Sequence, residues 1–322
     1  MGYRAIRIGI LLALTVLGVS LRAETSKLLK FVPAEVEYLV AVDAKRARAW
    51  LSSRETLENQ RAIISQLSEF EKVFNLSLDD CRQILFFGVN KAMRGILVDT
   101  SLTEEKLFSS LPQDRYRAEV VEGRKIYHII ADNSKFKSLS KPVLCYLDAE
   151  SILITEEIYL AEFLAGVKTN FDINSLGLSV PTGTPEVWGF LNFRSLVVSN
   201  RQKIPFLRGV LGDLHYVVWK LTSADEQSKE FILSAIGICR NKQSAALLNI
   251  SLPGYLAAMA NLFFANNSAL SWQLMNSFKS RVEGKKVYAE LKLSEEILFS
   301  TGRRTVRKAN RNLRPARSVA AD

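Results

Sequence analysis

Residues 122–127 read Glu-Gly-Arg-Lys-Ile-Tyr, and residues 283–288 repeat the pattern as Glu-Gly-Lys-Lys-Val-Tyr. In both places a glycine stands between two strand-like runs, and glycine accepts the positive φ that a tight hairpin turn requires. A hairpin motif that recurs in the second half of a chain indicates an internal duplication.

Three further pairs of segments match in the same order along the two halves. They are Val32-Pro33 with Val180-Pro181, residues 78–80 with 211–213, and residues 96–102 with 246–252. Because the order is kept, the sequence predicts two related copies of one unit, at residues 24–172 and 173–300. The stretch from Thr169 to Pro185, which holds glycine, proline and small polar residues, is the predicted linker.

Each copy is predicted to combine strands and helices, so that the fold class is α+β. Strand-like runs joined by short turns, at residues 116–130 and 143–155, predict hairpins of an antiparallel sheet. One helix is predicted to begin after Thr103, and another is predicted to follow the second hairpin and to end at Ala165. We therefore expect two related copies of a mostly antiparallel sheet with helices packed on one face. The second copy carries an additional predicted strand at residues 230–239.

This arrangement resembles a type of exported bacterial protein with a duplicated α+β unit, in which each copy opens on a Val-Pro-Ala-Glu-like strand. Near the end of the second copy, such proteins have an aromatic-containing helix, a Glu-Gly hairpin and a helix with two adjacent glutamates. Here these are residues 272–278, 283–288 and 293–298. The resemblance implies the fold and export. Its motifs are structural, and it implies no activity and no site residue.

The first 23 residues read as a secretory signal peptide. Arg4 and Arg7 precede an apolar run from Ile8 to Val19, and Ala23 ends a cleavage-site pattern. The apolar run is shorter than the roughly 20 residues that a membrane-spanning helix needs. We expect an exported protein, periplasmic or extracellular, either soluble or attached to the envelope. An uncleaved N-terminal anchor is the alternative.

Charge is concentrated at the two ends of the chain. The 322 residues include 43 Lys and Arg against 33 Asp and Glu, a net charge of +10. Residues 24–302 hold 33 basic and 32 acidic residues, so this body is nearly neutral. The high pI therefore indicates no basic groove on the folded domains. The composition, with 48% hydrophobic residues, excludes a disordered chain, a collagen-like repeat and a coiled coil.

The C-terminal segment, residues 301–322, is a basic tail that we expect to be disordered. Its cations recur every three or four residues: Arg303, Arg304, Arg307, Lys308, Arg311, Arg314 and Arg317. No apolar face opposes them, so an amphipathic membrane helix fits this segment poorly. The tail is either simply solvated or a tether to an anionic partner, such as lipid head groups or an envelope polysaccharide. Nucleic acid would satisfy the same physics, but export separates the protein from it.

The sequence offers two weak acid–base candidates. Only two histidines occur, His128 and His215. Asp213 lies two residues before His215, which would place both on one face of a strand, but no third metal ligand has a suitable spacing. No metal site is predicted. The adjacent glutamates that follow Thr103, Thr155 and Ser294 are expected to occupy first helical turns behind hydroxyl caps.

The sequence gives equally weak support for a catalytic serine. Two Ser-x-x-Lys matches, Ser134 with Lys137 and Ser138 with Lys141, lie in a polar loop and lack the companion motifs of acyl-enzyme hydrolases. Nucleotide-binding loops and the metalloprotease motif are absent from the sequence. No catalytic residue and no cofactor are therefore predicted.

Cysteines and aromatic residues are interpreted as core. Cys81, Cys145 and Cys239 form no Cys-x-x-Cys pair, and two of them stand in apolar runs. The aromatic residues could line a groove, but their apolar surroundings favour core packing. They are Phe86, Phe87, Tyr216, Trp219, Phe263, Trp272 and Phe278.

The sequence thus favours a non-enzymatic, exported cell-envelope protein that binds or supports a partner and is tethered by its basic tail. The first alternative is an exported hydrolase with a site between the two repeats, using carboxylates or Ser134 and Lys137. A second alternative is an assembly subunit whose sheet edges pair between chains. The sequence does not fix the oligomeric state.

Overall fold

The computed structural model describes most of the predicted folded body. It covers residues 27–45, 48, 70–89, 92–109, 113–130, 139, 141–164, 170–181, 185, 187–195, 210–224, 230–264, 268–294 and 297. The predicted signal peptide, the seven cations of the tail and the pair Ser134 and Lys137 lie outside the described residues.

The described residues include twelve strands, four α-helices with complete bounds and further helical residues, among them 70–74. The strands are β1 (Tyr38–Asp43), β2 (Cys81–Val89), β3 (Ala92–Thr100), β4 (Tyr116–Val121), β5 (Arg124–Ile129), β6 (Pro142–Asp148), β7 (Ser151–Glu156), β8 (Val187–Asn192), β9 (Leu214–Ser223), β10 (Glu230–Cys239), β11 (Lys279–Glu283) and β12 (Lys286–Ser294). The helices are α1 (Glu104–Ser109), α2 (Glu157–Leu164), α3 (Lys242–Phe264) and α4 (Ser268–Ser277). Short 3-10 turns occupy Lys27–Phe31, Gln113–Arg115, Asn174–Leu176 and Val210–Asp213.

All twelve strands belong to one open antiparallel sheet. Their order is β11-β12-β10-β9-β8-β1-β2-β3-β7-β6-β5-β4. The first strand of each half, β1 and β8, pair with each other at the centre, so hydrogen bonds run without a break from one half to the other. The expected mostly antiparallel sheet with helices is confirmed, and it is a single sheet.

The central strand is buried on both faces of the sheet. In β1, Leu39 and Ala41 belong to one apolar cluster, whereas Val40 and Val42 belong to another. Since successive side chains of a strand point to opposite faces, these two clusters lie on the two sides of the sheet. Such a strand reads as a continuous apolar run, which explains the sequence Tyr-Leu-Val-Ala-Val.

Helices cover both faces, which corrects the prediction that they pack on one face. Leu160 and Phe163 of α2 pack in the cluster of Leu39. Leu270 and Leu274 of α4 pack in the cluster of Val40, on the other side. The prediction fails because a sheet with apolar side chains on both faces has to be covered on both.

The repeated Glu-Gly motif makes a hairpin in each half, as predicted. In β4–β5 the two loop residues are Glu122 and Gly123, with φ of 50° and 75°. In β11–β12, Glu283 is already paired with Lys286, and the loop begins at Gly284, with φ of 61°. The first loop thus consists of the Glu-Gly of the motif, and the second consists of the glycine and the lysine after it, so the second loop lies one residue later in the motif. Because successive side chains of a strand alternate between the faces of the sheet, this shift exchanges the faces of the side chains that follow the loop.

One of the four sequence matches is wrong. Residues 96–100 lie in β3, but residues 246–252 lie inside α3. Both segments are short apolar runs with one asparagine or aspartate, and such runs have no period that separates a strand from a buried helix. The predicted strand at residues 230–239 is present as β10.

Ion pairs join the first described residues, 27–31, to strands of the first half. Lys27 lies 3.1 Å from the Asp99 carboxylate and Lys30 lies 3.0 Å from that of Asp148. Burial alone would raise the pKa of Asp148, but hydrogen bonds from Ser151 and Lys30 hold it at about 2. These contacts position the chain directly after the predicted signal peptide.

Candidate docking surface on the outer helices

The two histidines occupy structural positions. His128 Nε2 lies 3.3 Å from the Glu119 carboxylate, and His128 Nδ1 lies 4.0 Å from that of Glu157. These contacts join β5 to β4 and to the start of α2. Across the part of the chain that the structure describes, His, Cys, Asp and Glu form no group of three that could hold a metal ion.

Asp213 and His215 do not form the predicted pair on one strand face. Asp213 ends a 3-10 turn before β9, so the two-residue spacing of a strand does not apply to it. Its carboxylate instead accepts a hydrogen bond of 2.6 Å from Ser244 Oγ of α3. Burial and the nearby cations, Arg194 foremost, lower the pKa of His215.

The three cysteines are buried, as predicted, and each is a free thiol. Burial raises the pKa of Cys81 to about 12 and those of Cys145 and Cys239 to about 11. Because the thiolate is the reactive form, these thiols are inert near neutral pH.

At the junction of the two halves, β1 and β8 meet as a hydrogen-bonded pair. Leu39 and Trp188 fill one face of this junction. The buried carboxylate of Glu37 accepts a hydrogen bond from the hydroxyl of Ser195 at one end of it. This contact links the residue before β1 to the residues that follow β8.

A small cavity lies beside the first Glu-Gly hairpin. Its volume is about 160 Å³, and Phe108, Tyr116 and Tyr127 form its aromatic wall. The Phe108 and Tyr127 rings stack with centroids 3.4 Å apart, and the Tyr127 hydroxyl donates to Glu104. Burial and this carboxylate raise the pKa of Tyr127 to about 12. Small-molecule sites usually exceed about 300 Å³, so this cavity is a packed corner of the sheet.

A larger hollow of about 460 Å³ lies between the helical segment at residues 70–74 and α1. Opposite charges pair across it, with Arg48 3.3 Å from Glu71 and 3.7 Å from Asp79. Glu71 also accepts the Leu78 N–H at 3.1 Å, which holds the turn that follows the helix. These charges support the local fold.

The outer helices, α3 and α4, carry no charged residue after Lys242, the first residue of α3. Residues 243–278, which span α3, α4 and the segment between them, contain no Asp, Glu, Lys, Arg or His, although charged residues make up 24% of the chain. The cations Lys242 and Lys279 bound this stretch.

The side of α3 that faces away from the sheet is apolar. Ala245 and Leu248 pack inward, whereas Leu247 is 56% exposed and Ile250 is 76% exposed. After the exposed polar residues Lys242 and Gln243 at its start, the described exposed positions of the helix are all apolar and recur at intervals of one to four residues: Ala246, Leu247, Ile250, Pro253, Gly254 and Ala258. A helix packed on a sheet normally shows polar residues to water, and one that is apolar on every side is normally covered.

Trp272 of α4 extends this apolar side. Its side chain is 68% exposed, while its neighbours Leu270 and Leu274 are buried against the sheet. The hydroxyl of Ser271 donates to the Ala260 carbonyl oxygen at 3.4 Å, which holds α4 beside α3. We call the six exposed apolar residues of α3 together with Trp272 the outer face. Exposed apolar side chains that cluster in this way mark interaction sites.

The sequence interpretation missed the outer face. It assigned Trp272 to the core, and that prediction is wrong, although it is confirmed for Phe87, which is fully buried. Among the other aromatic candidates, Phe86, Tyr216, Trp219 and Phe278 are partly buried, and the side chain of Phe263 lies outside the described residues. The 36-residue stretch without charge was the signal that could have identified the surface.

Among the described residues, no helix is both long enough and apolar enough to cross a bilayer. Comparison of the chain with protein-family models, with curated proteins and with solved structures finds no match.

Proposed function

We propose that this chain is a non-enzymatic, exported protein of the cell envelope and that it acts by binding a partner through the outer face. The observation that carries this proposal is the exposure of Leu247, Ile250 and Trp272 on helices that contain no charge between Lys242 and Lys279. Water is a poor solvent for such a surface, so a partner that covers it gains free energy from the burial.

Export and the tether belong to the same proposal. The charged start and apolar run of residues 1–23 support export, and the seven cations between Arg303 and Arg317 support contact with an anionic component of the envelope. In this account the outer face supplies the apolar part of the attachment and the tail supplies the electrostatic part.

We further propose that the two halves are copies of one unit, and the strand register supports this. Val40 pairs with Gly189 at the middle of the β1–β8 ladder. Val40 lies opposite Phe86 in β2, as Gly189 lies opposite Trp219 in β9. Phe86 and Trp219 each follow, by eight residues, the leucine of the matching Leu-Asp-Asp and Leu-Gly-Asp segments.

The same register identifies a third pair of strands. Phe86 lies opposite Ile96 in β3, and Trp219 lies opposite Ala235 in β10. In this comparison β10 is the counterpart of β3, and α3 follows it as α1 follows β3. The halves then differ by the hairpin β6–β7, which stands between β3 and β5, whereas β10 pairs directly with β12.

Fractionation of the native host tests the proposed function. Full-length protein, a form that ends at Gly302 and the Ile250→Glu variant are compared in envelope pellets washed at low and at high salt. We expect the full-length protein to pellet at low salt and both altered forms to pellet several-fold less. If all three forms stay in the soluble fraction at every salt concentration, the attachment role is wrong.

A further inference from the structure

We propose that the outer face binds the head-group and upper acyl region of a bilayer that contains anionic phospholipid. This inference rests on the proposed function, because it names the partner of the same surface. It combines three properties of the described chain: an uncharged apolar surface, an exposed tryptophan on it, and the position at which the chain departs toward its basic tail.

The geometry of α3 fits a helix that lies flat against a membrane. Its inward side, with Ala245 and Leu248, is fixed to the sheet by packing against Cys239 and Val287. The opposite side therefore faces outward as one surface. Ile250 and Ala260, which accepts a hydrogen bond from α4, are separated by about 15 Å along the axis at a rise of about 1.5 Å per residue. A surface of this kind rests on a bilayer without spanning it.

Trp272 adds a side chain that is suited to the membrane boundary. Tryptophan is enriched at the level of the lipid head groups, where its apolar ring and its N–H group are both accommodated. Since Trp272 is 68% exposed and its α4 neighbours Leu270 and Leu274 hold the helix on the sheet, the indole is presented outward.

The basic tail begins beside this surface. Ile297 is 3% exposed and packs in one cluster with Ala260 of α3 and with Leu270 and Leu274 of α4. Arg303 follows six residues later, which is within about 20 Å of Ile297 even for a fully extended chain. Seven cations can thus contact anionic head groups next to the apolar contact. Stable attachment to a membrane takes two such signals, one apolar and one electrostatic.

The position of the tail also favours lipid over a second copy of the chain. Two copies joined through their outer faces would bring two tails, each with seven cations, to the margin of the same interface. Like charges would repel there, whereas an anionic membrane attracts every cation. The charge of the tail therefore complements a negatively charged surface.

Vesicle co-sedimentation tests the inference. The full chain is mixed with vesicles of phosphatidylcholine that contain phosphatidylglycerol, at low salt and at about 1 M salt, where exposed charges are screened within about 3 Å. We expect Ile250→Glu to reduce the fraction bound at low salt about tenfold, and we expect high salt to release most of the unaltered protein, because stable attachment needs both the apolar and the electrostatic contact. The matched control is Ile158→Glu on α2, because Ile158 is 71% exposed and α2 packs on the other side of the sheet. This control is expected to bind like the unaltered protein.

The outcomes separate the two proposals. Equal binding by the Ile250→Glu and Ile158→Glu proteins at low salt overturns the lipid inference, and so does an unaltered protein that binds no vesicles at low salt. If vesicles are not bound but Ile250→Glu still leaves the envelope pellet of the host, the outer face is a docking surface for a protein or polysaccharide. If Ile250→Glu changes neither measurement, both proposals fail. Circular dichroism of both variants checks that they are folded.

Discussion

Replacement of Trp188 by alanine is expected to lower the free energy of unfolding by about 4 kcal/mol, the cost that a large buried aromatic side chain carries when it is truncated. Trp188 is 2% exposed and lies in β8 directly opposite Ala41 of β1. It therefore fills one face of the sheet at the place where the two halves join. Urea denaturation followed by circular dichroism measures the change.

Trp272→Ala is the matched control for this prediction. It removes the same type of side chain from a position that is 68% exposed, so little of the apolar area that folding buries is lost. We expect its urea midpoint to stay close to that of the unaltered protein. Equal destabilisation by the two substitutions would contradict the assignment of Trp188 to the core and of Trp272 to the surface.

The second large effect is expected at Gly88, where even a methyl group does not fit. A Cβ atom at this residue of β2 would overlap the ring of Tyr38 and the backbone carbonyl oxygen of Ala92. The ladder between β2 and β3 shifts its register at Phe87 and Gly88, so the carbonyl group is held by strand pairing. Gly88→Ala should cost about 3 kcal/mol, because an overpacked site next to backbone cannot relax cheaply.

Gly254→Ala provides the opposite expectation. No atom lies within 4 Å of the Cβ position at Gly254, which is in the interior of α3. Alanine loses less conformational freedom in a helix than glycine does, so the substitution should raise the free energy of unfolding by up to about 1 kcal/mol. A Gly88→Ala protein whose urea midpoint equals that of Gly254→Ala would show that the β2 register is wrong.

The parts of the fold that were predictable from the sequence are those with a local chemical requirement. Glu122 and Gly123 form the expected turn because a two-residue hairpin needs positive φ. Thr103 caps α1, since its hydroxyl accepts the Lys106 N–H at 3.4 Å. The joining of both halves into one sheet follows from the pairing of β1 with β8, and strand pairing between distant segments leaves no local pattern in a sequence.

Two errors have a common cause, namely that burial is not visible in a single apolar run. Residues 246–252 resemble a strand in composition, but they are part of α3. The helix packs on β10 and β12, and this packing decides which of its residues are buried. Thr155 was expected to cap a helix, yet it is fully buried in β7, where its hydroxyl donates to the Arg94 carbonyl oxygen at 2.5 Å. Tertiary contacts decide such positions.

The candidate surface was hidden for the same reason. Apolar side chains such as Ile250 and Trp272 read as core until a structure places them on the outside of a packed helix. Two features are visible in the sequence: no charged residue occurs between Lys242 and Lys279, and a cluster of cations starts at Arg303. Only the packing of Ile297 against the residues beneath α4 relates these two features in space.

Fluorescence quenching of Trp272 by brominated lipid tests the central claim most directly. The full chain is mixed with vesicles of the anionic composition used above, with bromine at the upper acyl chain, and is compared with the Trp272→Phe variant. The variant keeps the other three tryptophans of the chain, Trp50, Trp188 and Trp219, so the difference in quenching between the two proteins reports on Trp272. We predict clearly stronger quenching of the unaltered protein, because Trp272 is 68% exposed on the outer face whereas Trp188 is buried in the core. Quenching that is absent, or equal in both proteins, would contradict the claim that the outer face contacts the membrane.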